Sequence, residues 1–379
     1  MSRRILIDAR LYGLENAGLG RYTMNLVDEL AKLDQQNEYS VLLRKKYFNE
    51  LKLPRNWQKV EADFRHYSLA EQLKLPKMIK GLKPDLVHFP HFNVPLNYQG
   101  RFVVTIHDLL MHWQKGKTAT TLPIYKYFLK RAGYKTVFKK AISAEAIITP
   151  SQTVKEEILD YYKINPARVA VIYEGIDKSQ FAKTDKEKLF EKYKIQLPYF
   201  IYTGNAYPHK NLERAIEAFV KLNKNGLRAY FYIASARNVF TKRTEKAILE
   251  KKAGDFVKIL GFVPDDEISW LYKYAAGFLY PSLSEGFGLP GLEAVAAGTI
   301  TLASRIPVFK EIYQESVIYF DPLSTESIKE ALERVLVMKT EERTNLINKS
   351  GQFIKKYSWR KMAKETLQVY NVATKNGRR

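Results

Sequence analysis

The most informative stretch of the sequence is LYPSLSEGFGLPGLEAVAAG, residues Leu279–Gly298. The apolar run before Pro281 predicts a short buried strand that ends at the proline. The alanine-rich run Leu292–Ala297 predicts a buried helix that ends at Gly298. Glycine and proline interrupt the residues between them. The stretch therefore predicts a strand, a loop and a helix N-terminus, whose free N–H groups suit a phosphate or a developing oxyanion.

Two carboxylates, Glu285 and Glu293, lie eight positions apart in this stretch. They add hydrogen-bond acceptors for several hydroxyl groups beside the predicted phosphate site. A ligand that carries both a phosphate and many hydroxyls is a sugar nucleotide. The alternative is an ordinary α/β turn, in which acidic residues only complement the helix dipole.

The string EGFGLPGLEA closely resembles the Glu-x7-Glu motif of family 4 glycosyltransferases. These are retaining enzymes with the GT-B fold, and the motif is much more specific than a lone GxGxxG. Segments such as Glu71-Gln72, Asp85–Pro90 and Val171–Asp177 most resemble the mannosyltransferase-like branch that builds bacterial surface polysaccharides. The resemblance implies two Rossmann-like domains that face a central cleft, with a C-terminal helix that crosses back to the N-terminal domain.

Composition agrees with two globular domains. The chain has 379 residues, of which 46% are apolar, and it contains no cysteine. No stretch reaches eighteen apolar residues, so no membrane-spanning helix is expected. The apolar run Ile5–Ile7 is too short for a signal peptide. These features favour a cytoplasmic protein, with peripheral attachment to the inner face of the cell membrane left open.

Short apolar runs alternate with helical patterns along the whole chain, which predicts an α/β fold with two doubly wound parallel sheets of about six strands each. The twelve predicted strands are Ile5–Ala9, Tyr39–Leu43, Leu86–Phe89, Phe102–Ile106, Ala146–Thr149, Val169–Tyr173, Tyr199–Thr203, Ala229–Ala234, Val257–Leu260, Gly277–Tyr280, Thr299–Ala303 and Val317–Phe320. The charged stretch 175–197 predicts the linker between the domains. The expected units are an acceptor-binding domain over 1–175, a nucleotide-sugar-binding domain over 176–356 and a returning helix over 357–379.

In the first domain, the segment Asn16–Tyr22 contains Gly18 and Gly20 and predicts a glycine turn before a helix that begins at Arg21. It resembles the phosphate-binding glycine loop of the family, with Ala17 in place of the first glycine. His107 follows the strand Phe102–Ile106, in a segment similar to the one whose histidine touches the donor sugar.

The segment VHFPHFNVPL ends another strand and carries His88 and His91. Either they line the acceptor site or they simply pack. Their spacing resembles a metal pair, but the sequence offers no third ligand.

In the second domain, the resemblance implies that Lys210 pairs with the donor diphosphate, at a position where a helix begins. Asn205 stands where many family members have arginine, so one charged phosphate contact is absent. The segment Gly261–Val263 is similar to the backbone segment that contacts the nucleotide base. Further donor contacts are expected from three residues of the motif, namely Phe287, Gly288 and Leu289.

The resulting hypothesis is a metal-independent retaining transfer of a hexose, with mannose favoured, from a nucleoside-diphosphate sugar to a glycan or polyprenyl-linked glycan. His107, Glu285 and Lys210 are the predicted catalytic residues. Glu285 is expected to bond the sugar hydroxyls and Glu293 the ribose. No Asp-x-Asp clamp is evident at a strand end, so neither a metal ion nor another cofactor is expected.

Two alternatives stay open at this point. A nucleotide-sugar epimerase of related fold would need further acid–base residues that the sequence does not identify. A nucleic-acid-binding protein would explain the formal net charge of +22, but it leaves the Glu285/Glu293 segment without a role.

The segment Leu109–Ala144 contains eight basic and six aromatic residues and no acidic one. Such a segment can bind an anionic membrane surface or a nucleic-acid backbone. The simpler alternative places the aromatic rings in the core and the lysines in water.

Overall fold

The computed structural model describes residues 2–113, 124–177 and 185–375. The chain divides into two compact units. Unit 1 comprises Met1–Gly175 together with Ser358–Arg379, and unit 2 comprises Ile176–Tyr357.

Within the described residues, unit 1 is built on a seven-stranded sheet in which every neighbouring pair is parallel. Its strand order is β3-β2-β1-β4-β5-β6-β7. The strands are β1 Arg4–Asp8, β2 Glu38–Leu43, β3 Trp57–Glu61, β4 Leu86–Phe89, β5 Phe102–Thr105, β6 Ala146–Thr149 and β7 Val169–Val171. Every residue of β4 and β5 is buried, as expected for central strands with helices on both faces.

The first six helices connect these strands: α1 Ala17–Leu33, α2 Lys45–Phe48, α3 Leu69–Leu82, α4 Leu110–Trp113, α5 Ile124–Ile142 and α6 Gln152–Tyr162. Ser68 begins α3 and its hydroxyl accepts the Glu71 N–H, while Ser151 caps α6 in the same way. One face of α3, α5 and α6 packs on the sheet and completes a core that includes Leu75, Phe138 and Ile158.

Unit 2 is also parallel throughout its described strands, which form a six-stranded sheet of order β10-β9-β8-β11-β12-β13. The strands are β8 Tyr199–Thr203, β9 Tyr230–Ala234, β10 Val257–Ile259, β11 Gly277–Tyr280, β12 Thr301–Ser304 and β13 Ile318–Phe320. Its helices are α7 Lys186–Tyr193, α8 Leu212–Lys224, α9 Val239–Glu250, α10 Asp265–Tyr274, α11 Leu289–Ala296, α12 Pro307–Tyr313, α13 Thr325–Leu336 and α14 Thr340–Phe353.

The last helix, α15 Trp359–Lys375, belongs to unit 1 and packs against α1 and the strands β4, β5 and β6. The predicted return of the terminal helix is therefore confirmed. Its buried Tyr370 hydroxyl lies 2.6 Å from His88 Nδ1, and His88 Nε2 lies 2.9 Å from Thr105 Oγ1. A polar contact thus ties the helix to the middle of the sheet.

Several strand ends differ from the predictions by one or two residues, and the helix predicted over Leu292–Ala297 begins at Leu289. Three further local predictions differ from the structure. The strand β3 was not predicted, because only Trp57 of its five residues is fully buried and the edge strand lacks an apolar run. The expected linker contains the helix α7, which Asp185 caps by accepting the Glu187 N–H. The helix α1 begins at Ala17 rather than Arg21, so Gly18 and Gly20 lie in its first turn and not in a loop.

Candidate functional site

The candidate site of unit 2 lies at the carboxyl ends of β8 and β11, where the strand order reverses. Ligands of open parallel sheets bind at such switch points. β8 ends at Thr203, and Gly204 then adopts a φ of +132°, which an L side chain rarely tolerates. A 3₁₀ turn, Pro208–Lys210, leads into α8. This turn places Lys210 beside the end of the neighbouring strand.

The motif loop after β11 ends at Gly288, which begins α11 with a φ of +107° and no side-chain cap. A Cβ atom on Gly288 would lie only 2.5 Å from the Tyr313 hydroxyl oxygen. That hydroxyl donates to the Gly288 carbonyl oxygen at 2.5 Å. The glycine is thus required both by its backbone conformation and by the close approach of Tyr313. Pro290 has no N–H, and the Gly291 N–H donates to the Gly288 carbonyl oxygen at 3.2 Å. The N–H groups of Gly288 and Leu289 are therefore the ones at this helix start that are suited to bind an anion.

Lys210 and Glu285 form an ion pair across this edge. Lys210 Nζ lies 2.5 Å from Glu285 Oε1, and their side chains are 14% and 11% exposed. Burial raises the pKa of the Glu285 carboxyl, but the charges of Lys210 and His209 and the hydrogen bond from Lys210 outweigh it, so the pKa lies below its ordinary value. The carboxylate is therefore held ionised and oriented, as an acceptor for sugar hydroxyls must be.

The other predicted donor-binding residues of unit 2 differ in how far their side chains are buried. Glu293 is half-buried on α11. The rings and side chains of Phe287, Leu289 and Val263 are buried, and Phe287 packs edge-on against Tyr357 at 5.5 Å between ring centroids. Contacts from these three residues to a donor would therefore come from the main chain. Asn205 is half-buried, and its carbonyl oxygen accepts the Tyr202 hydroxyl at 2.7 Å.

In unit 1, Gly18 and Gly20 are not equivalent. Gly18 is exposed, and a Cβ atom there would meet nothing within 4 Å. Gly20 is buried, and its Cβ would lie 1.9 Å from the Gly13 carbonyl oxygen. Packing alone therefore explains the glycine at position 20. The donor-binding role of both glycines stays a prediction, and Gly18 is the one whose main chain is open to solvent.

His107 follows β5 and is engaged through both ring nitrogens. Nδ1 lies 3.1 Å from Glu174 Oε1, and Nε2 lies 3.0 Å from the Pro90 carbonyl oxygen. Its ring also meets Tyr22 edge-on, with centroids 4.7 Å apart. The imidazole is fixed in place by three neighbours. Its predicted contact with the donor sugar stays a prediction.

The two other histidines of the sequence motif have separate roles. His88 is fully buried between Tyr370 and Thr105, as described above, and burial lowers its pKa to about 3. His91 Nε2 lies 2.6 Å from the Tyr67 hydroxyl instead. Among the residues that the structure describes, no group of three or more His, Asp or Glu side chains could hold a metal ion.

Sequence reasoning missed three residues at these sites. Glu174, which is buried, pairs with His107 although 67 positions separate them. Tyr313 holds the Gly288 carbonyl from α12. His209 lies near Glu285. Because His209 precedes Lys210 in the sequence, it is the one of these three residues that the sequence could have indicated.

The basic segment is divided between core and surface. Tyr134 and Phe138, in the second half of α5, are buried, so the simpler alternative holds there. In the first half, Tyr125, Phe128 and Leu129 are 60%, 61% and 71% exposed. Lys115 and Lys117 lie outside the described residues. None of the helices in the described part of the chain has the length and apolar character needed to cross a membrane.

The two parallel-sheet α/β units, together with a last helix that belongs to the first unit, have the architecture of the GT-B fold. Residues 17–180 match the family described as Glycosyltransferase Family 4, and residues 185–353 match Glycosyl transferases group 1. Together the two matches span most of the chain. The chain therefore belongs to the glycosyltransferases of this family, and the epimerase and nucleic-acid-binding alternatives are set aside.

Known relatives agree with this assignment. The chain is 26% identical over 299 residues to the O-antigen chain mannosyltransferase RfbU of Salmonella typhimurium, covering 78% of this chain and 76% of the relative. It is 24% identical over 376 residues to the O-antigen chain mannosyltransferase B of Escherichia coli, covering 94% and 96%. Among solved structures, WaaG, a glycosyltransferase involved in lipopolysaccharide biosynthesis, aligns with a TM-score of 0.73 at 15% identity and covers 96% of this chain and 98% of its own.

Proposed function

We propose that this glycosyltransferase transfers a hexose, with mannose favoured, from a nucleoside-diphosphate sugar to a glycan or polyprenyl-linked glycan, with retention of anomeric configuration. The Lys210–Glu285 pair carries the proposal, because it sets a cation and an ionised carboxylate side by side at the switch point of unit 2. The preference for mannose rests on the two O-antigen relatives, which are both named mannosyltransferases.

In the proposed reaction, the bond between the anomeric carbon and the diphosphate oxygen breaks as the acceptor hydroxyl attacks from the same face. The Lys210 ammonium and the N–H groups at the start of α11 stabilise the charge that develops on the diphosphate. The departing phosphate oxygen takes the proton of the acceptor hydroxyl, and a glycosidic bond replaces the bond that was lost. Glu285 accepts hydrogen bonds from the sugar hydroxyls and stabilises the oxocarbenium-like transition state by its charge.

The remaining donor contacts follow from what each residue exposes. Glu293 accepts the ribose hydroxyls, and the main chain at Val263 lies beside the base. The half-buried Asn205 donates one neutral hydrogen bond to a phosphate. His107, fixed by Glu174, is assigned to the donor sugar.

The reaction is proposed to be independent of a metal ion, because fixed N–H groups and Lys210 neutralise the leaving group. Activity is therefore expected to survive EDTA. Complete loss on chelation, with recovery on adding Mg²⁺ or Mn²⁺, would contradict this part of the proposal.

The test of the donor is a thermal-shift screen of nucleotides and nucleotide sugars. A ligand present at about 100 times its dissociation constant adds about 2.7 kcal/mol of stability. We expect one nucleoside diphosphate and its mannose conjugate to raise the melting temperature most. Proton NMR of the product formed from the selected donor then gives the anomeric configuration, and an inverted product would refute retention.

A second proposal concerns the exposed first half of α5, together with Trp113, which is 57% exposed. We propose that this basic aromatic surface binds anionic lipid beside a polyprenyl-linked acceptor. Lys126, Lys130 and Lys135 are all exposed on the helix. Each is worth about 1 kcal/mol near an anionic membrane.

Vesicle sedimentation tests this proposal at low salt. Vesicles rich in phosphatidylglycerol should retain the parent protein, and vesicles of phosphatidylcholine alone should not. Changing Lys126, Lys130 and Lys135 to glutamate should abolish retention and leave nucleotide affinity unchanged. The matched control changes three exposed lysines of unit 2 to glutamate, Lys188, Lys224 and Lys258. A parent protein that ignores the anionic vesicles would refute lipid binding.

A further inference from the structure

An exposed tyrosine in unit 1 has an unusual backbone conformation. Tyr67 lies in the loop between β3 and α3, its side chain is 63% exposed, and its φ is +62°. The left-handed region is unfavourable for a bulky L residue, and such residues persist only where their surroundings hold them. The ring meets His91, Phe92 and His66 at centroid distances of 6.2, 6.3 and 6.4 Å, and Tyr67 remains mostly exposed beside all three.

Two hydrogen bonds hold Tyr67. Its N–H donates to Glu71 Oε2 at 2.7 Å, and its hydroxyl lies 2.6 Å from His91 Nε2. Glu71 belongs to a Ser-x-x-Glu capping sequence with Ser68, but its carboxylate reaches one residue further back, to the Tyr67 N–H. The left-handed conformation is therefore fixed by a buried carboxylate.

The carboxylate of Glu71 is itself part of a buried ionic network. Arg10 Nη2 lies 2.6 Å from Glu71 Oε1 and 2.6 Å from Asp8 Oδ2. The side chains of Arg10 and Glu71 are 0% exposed, and that of Asp8 is 4% exposed. Asn93 Nδ2 donates to both Glu71 oxygens at 2.8 Å. Burying such ions costs several kcal/mol of desolvation free energy each, and the residue that this network holds at the surface is Tyr67.

The network also has unmet hydrogen-bonding capacity. Arg10 Nη1, Asn93 Oδ1 and His91 Nδ1 are buried and have no hydrogen-bond partner among the described residues. Buried polar atoms without partners are rare in native proteins. Because these atoms are buried, a ligand would reach them through a water molecule, and its own groups would have to donate and accept hydrogen bonds. Hydroxyl groups have this character.

We propose that Tyr67 and His91 bind a neutral hexopyranose of the acceptor glycan, with the sugar's apolar face stacked on the exposed Tyr67 ring. The negative face of an aromatic ring attracts the weakly positive C–H groups of a pyranose. The network contains two carboxylates and one guanidinium, and this excess of negative charge disfavours a phosphate. A neutral sugar is therefore the ligand that fits, and the proposal rests on the glycosyl-transfer function above.

The buried residues Asp8, Arg10, Glu71 and Asn93 act through Tyr67 and His91 and are positioning residues. The determinants assigned to the nucleotide part of the donor, Lys210, Glu285 and Glu293, belong to unit 2. Changes at Tyr67 should consequently alter acceptor binding and leave nucleotide binding unchanged.

The experiment uses the full chain and saturation-transfer-difference NMR. The probes are the methyl glycosides of mannose, glucose, galactose and N-acetylglucosamine. We expect at least one to bind the parent protein, with the strongest transfer to the protons of one ring face. Tyr67→Ala should weaken that binding at least tenfold, while Tyr67→Phe, which loses only the hydroxyl bond to His91, should have a smaller effect.

Two further variants separate contact from folding. Tyr67→Gly should lose the sugar as completely as Tyr67→Ala but melt at a higher temperature, because glycine accepts a positive φ without strain. Glu71→Gln should weaken sugar binding without changing nucleotide affinity or the melting temperature of unit 2. The control is Tyr161→Ala, which removes another exposed ring, 41% exposed, from unit 1.

Either of two outcomes overturns the inference: no glycoside binds the parent protein, or Tyr67→Ala binds it as tightly as the parent does. The nucleotide screen is measured in parallel on the same samples. Absence of nucleotide binding would refute the proposed donor chemistry and would leave the Tyr67 result to be judged on its own.

Discussion

Both units place a cation and carboxylates beside the point where the strand order reverses, but the two clusters differ in burial. In unit 1, Arg10 follows β1 and pairs with Asp8 and Glu71, with side-chain exposures of 0%, 4% and 0%. In unit 2, Lys210 follows β8 and pairs with Glu285 after β11, with exposures of 14% and 11%. The same topological position therefore holds a sealed network in one unit and an accessible pair in the other.

The chemistry of the two cations agrees with this difference. The planar guanidinium of Arg10 binds Asp8 through Nε and Nη2 and shares Nη2 with Glu71, so one side chain fixes two carboxylates through three hydrogen bonds. Lys210 is a flexible point charge that can move from a carboxylate to a phosphate. Unit 1 therefore uses its buried cluster to position the chain around Tyr67, whereas the pair in unit 2 is itself accessible to a ligand.

The largest expected difference between the units is their response to acid. Burial lowers the pKa of His66 and His112 to about 4 and of His88 to about 3, and it lowers that of His91 well below its usual range. All four lie in unit 1. In unit 2, burial and the neighbouring Lys210 lower the pKa of His209 to about 4.

The unfolded chain takes up protons near pH 6.5 that these histidines, with their lowered pKa values, accept in the folded state only at lower pH. Their stabilising contribution is therefore complete above pH 6.5 and declines as pH falls. Below pH 6.5, each of these histidines lowers the free energy of unfolding by up to about 1.4 kcal/mol per pH unit. From pH 6.5 to about pH 5.5, unit 1 should lose about 4 kcal/mol and unit 2 about 1 kcal/mol. Pulse proteolysis in urea, with fragments assigned to each unit, measures this, and equal losses in both units would contradict it.

Arg10→Met tests whether the sealed cluster is structural. It leaves two buried carboxylates without their cation, and breaking a buried ion pair typically costs about 3–5 kcal/mol. Urea unfolding of unit 1 should show this loss. Lys210→Met is the matched variant in unit 2, and it should cost less than half as much because Glu285 can still reach water. Similar losses at both positions would remove the distinction between the clusters.

Lys210→Ala tests whether the accessible pair acts on the leaving group. Removal of one preorganised charge donor typically costs about 2.7–4 kcal/mol of transition-state stabilisation, or about 10²- to 10³-fold in turnover. Steady-state kinetics should show the loss in kcat with the melting temperature nearly unchanged. Lys210→Arg keeps the charge and should keep part of the activity. Normal kinetics for Lys210→Ala would place the phosphate contacts elsewhere.

Glu293→Ala probes the donor-binding helix of unit 2 beyond the ion pair. Its carboxylate is expected to accept ribose hydroxyls, and charged hydrogen bonds of this kind contribute about 1.5–3 kcal/mol. Titration calorimetry should show nucleoside-diphosphate affinity reduced by that amount. The exposed Glu315→Ala in the same unit serves as control. Unchanged affinity for nucleotide and nucleotide sugar would remove Glu293 from the site.

The sequence predicted most of the fold because each central strand is a short apolar run. It predicted β11 at the residues where the structure has it, and β4 likewise. The edge strand β3 was missed because its exposed residues carry no apolar period. The apolar pattern of the sequence therefore predicts strands that are buried on both faces and fails to predict strands at the edge of a sheet.

The sequence revealed the site residues that lie near one another in the chain and missed those that are far apart. The motif around Glu285 was found because its residues lie close together in sequence. The Arg10–Glu71 contact spans 61 positions and the His107–Glu174 contact spans 67. No local pattern encodes such pairings, since they depend on which strand ends become neighbours. Gly20 was assigned to a donor loop by analogy, and only the structure shows it packed against Gly13.

The smallest expected effect concerns the turns that follow the first strand of each unit. After β1, Ala17 adopts a φ of +52°, and after β8, Gly204 adopts a φ of +132°. Each turn thus contains a residue with positive φ, an alanine in unit 1 and a glycine in unit 2. Ala17→Gly should relieve backbone strain but also increase the conformational entropy of the unfolded chain. The net increase in the free energy of unfolding is about 1 kcal/mol, or about 2–4 °C in the melting temperature. Gly204→Ala should have the opposite sign, because its Cβ would also lie 3.0 Å from the Tyr202 hydroxyl. Calorimetry of both variants checks the pair, and a lower melting temperature for Ala17→Gly would show that the conformation at Ala17 is not strained.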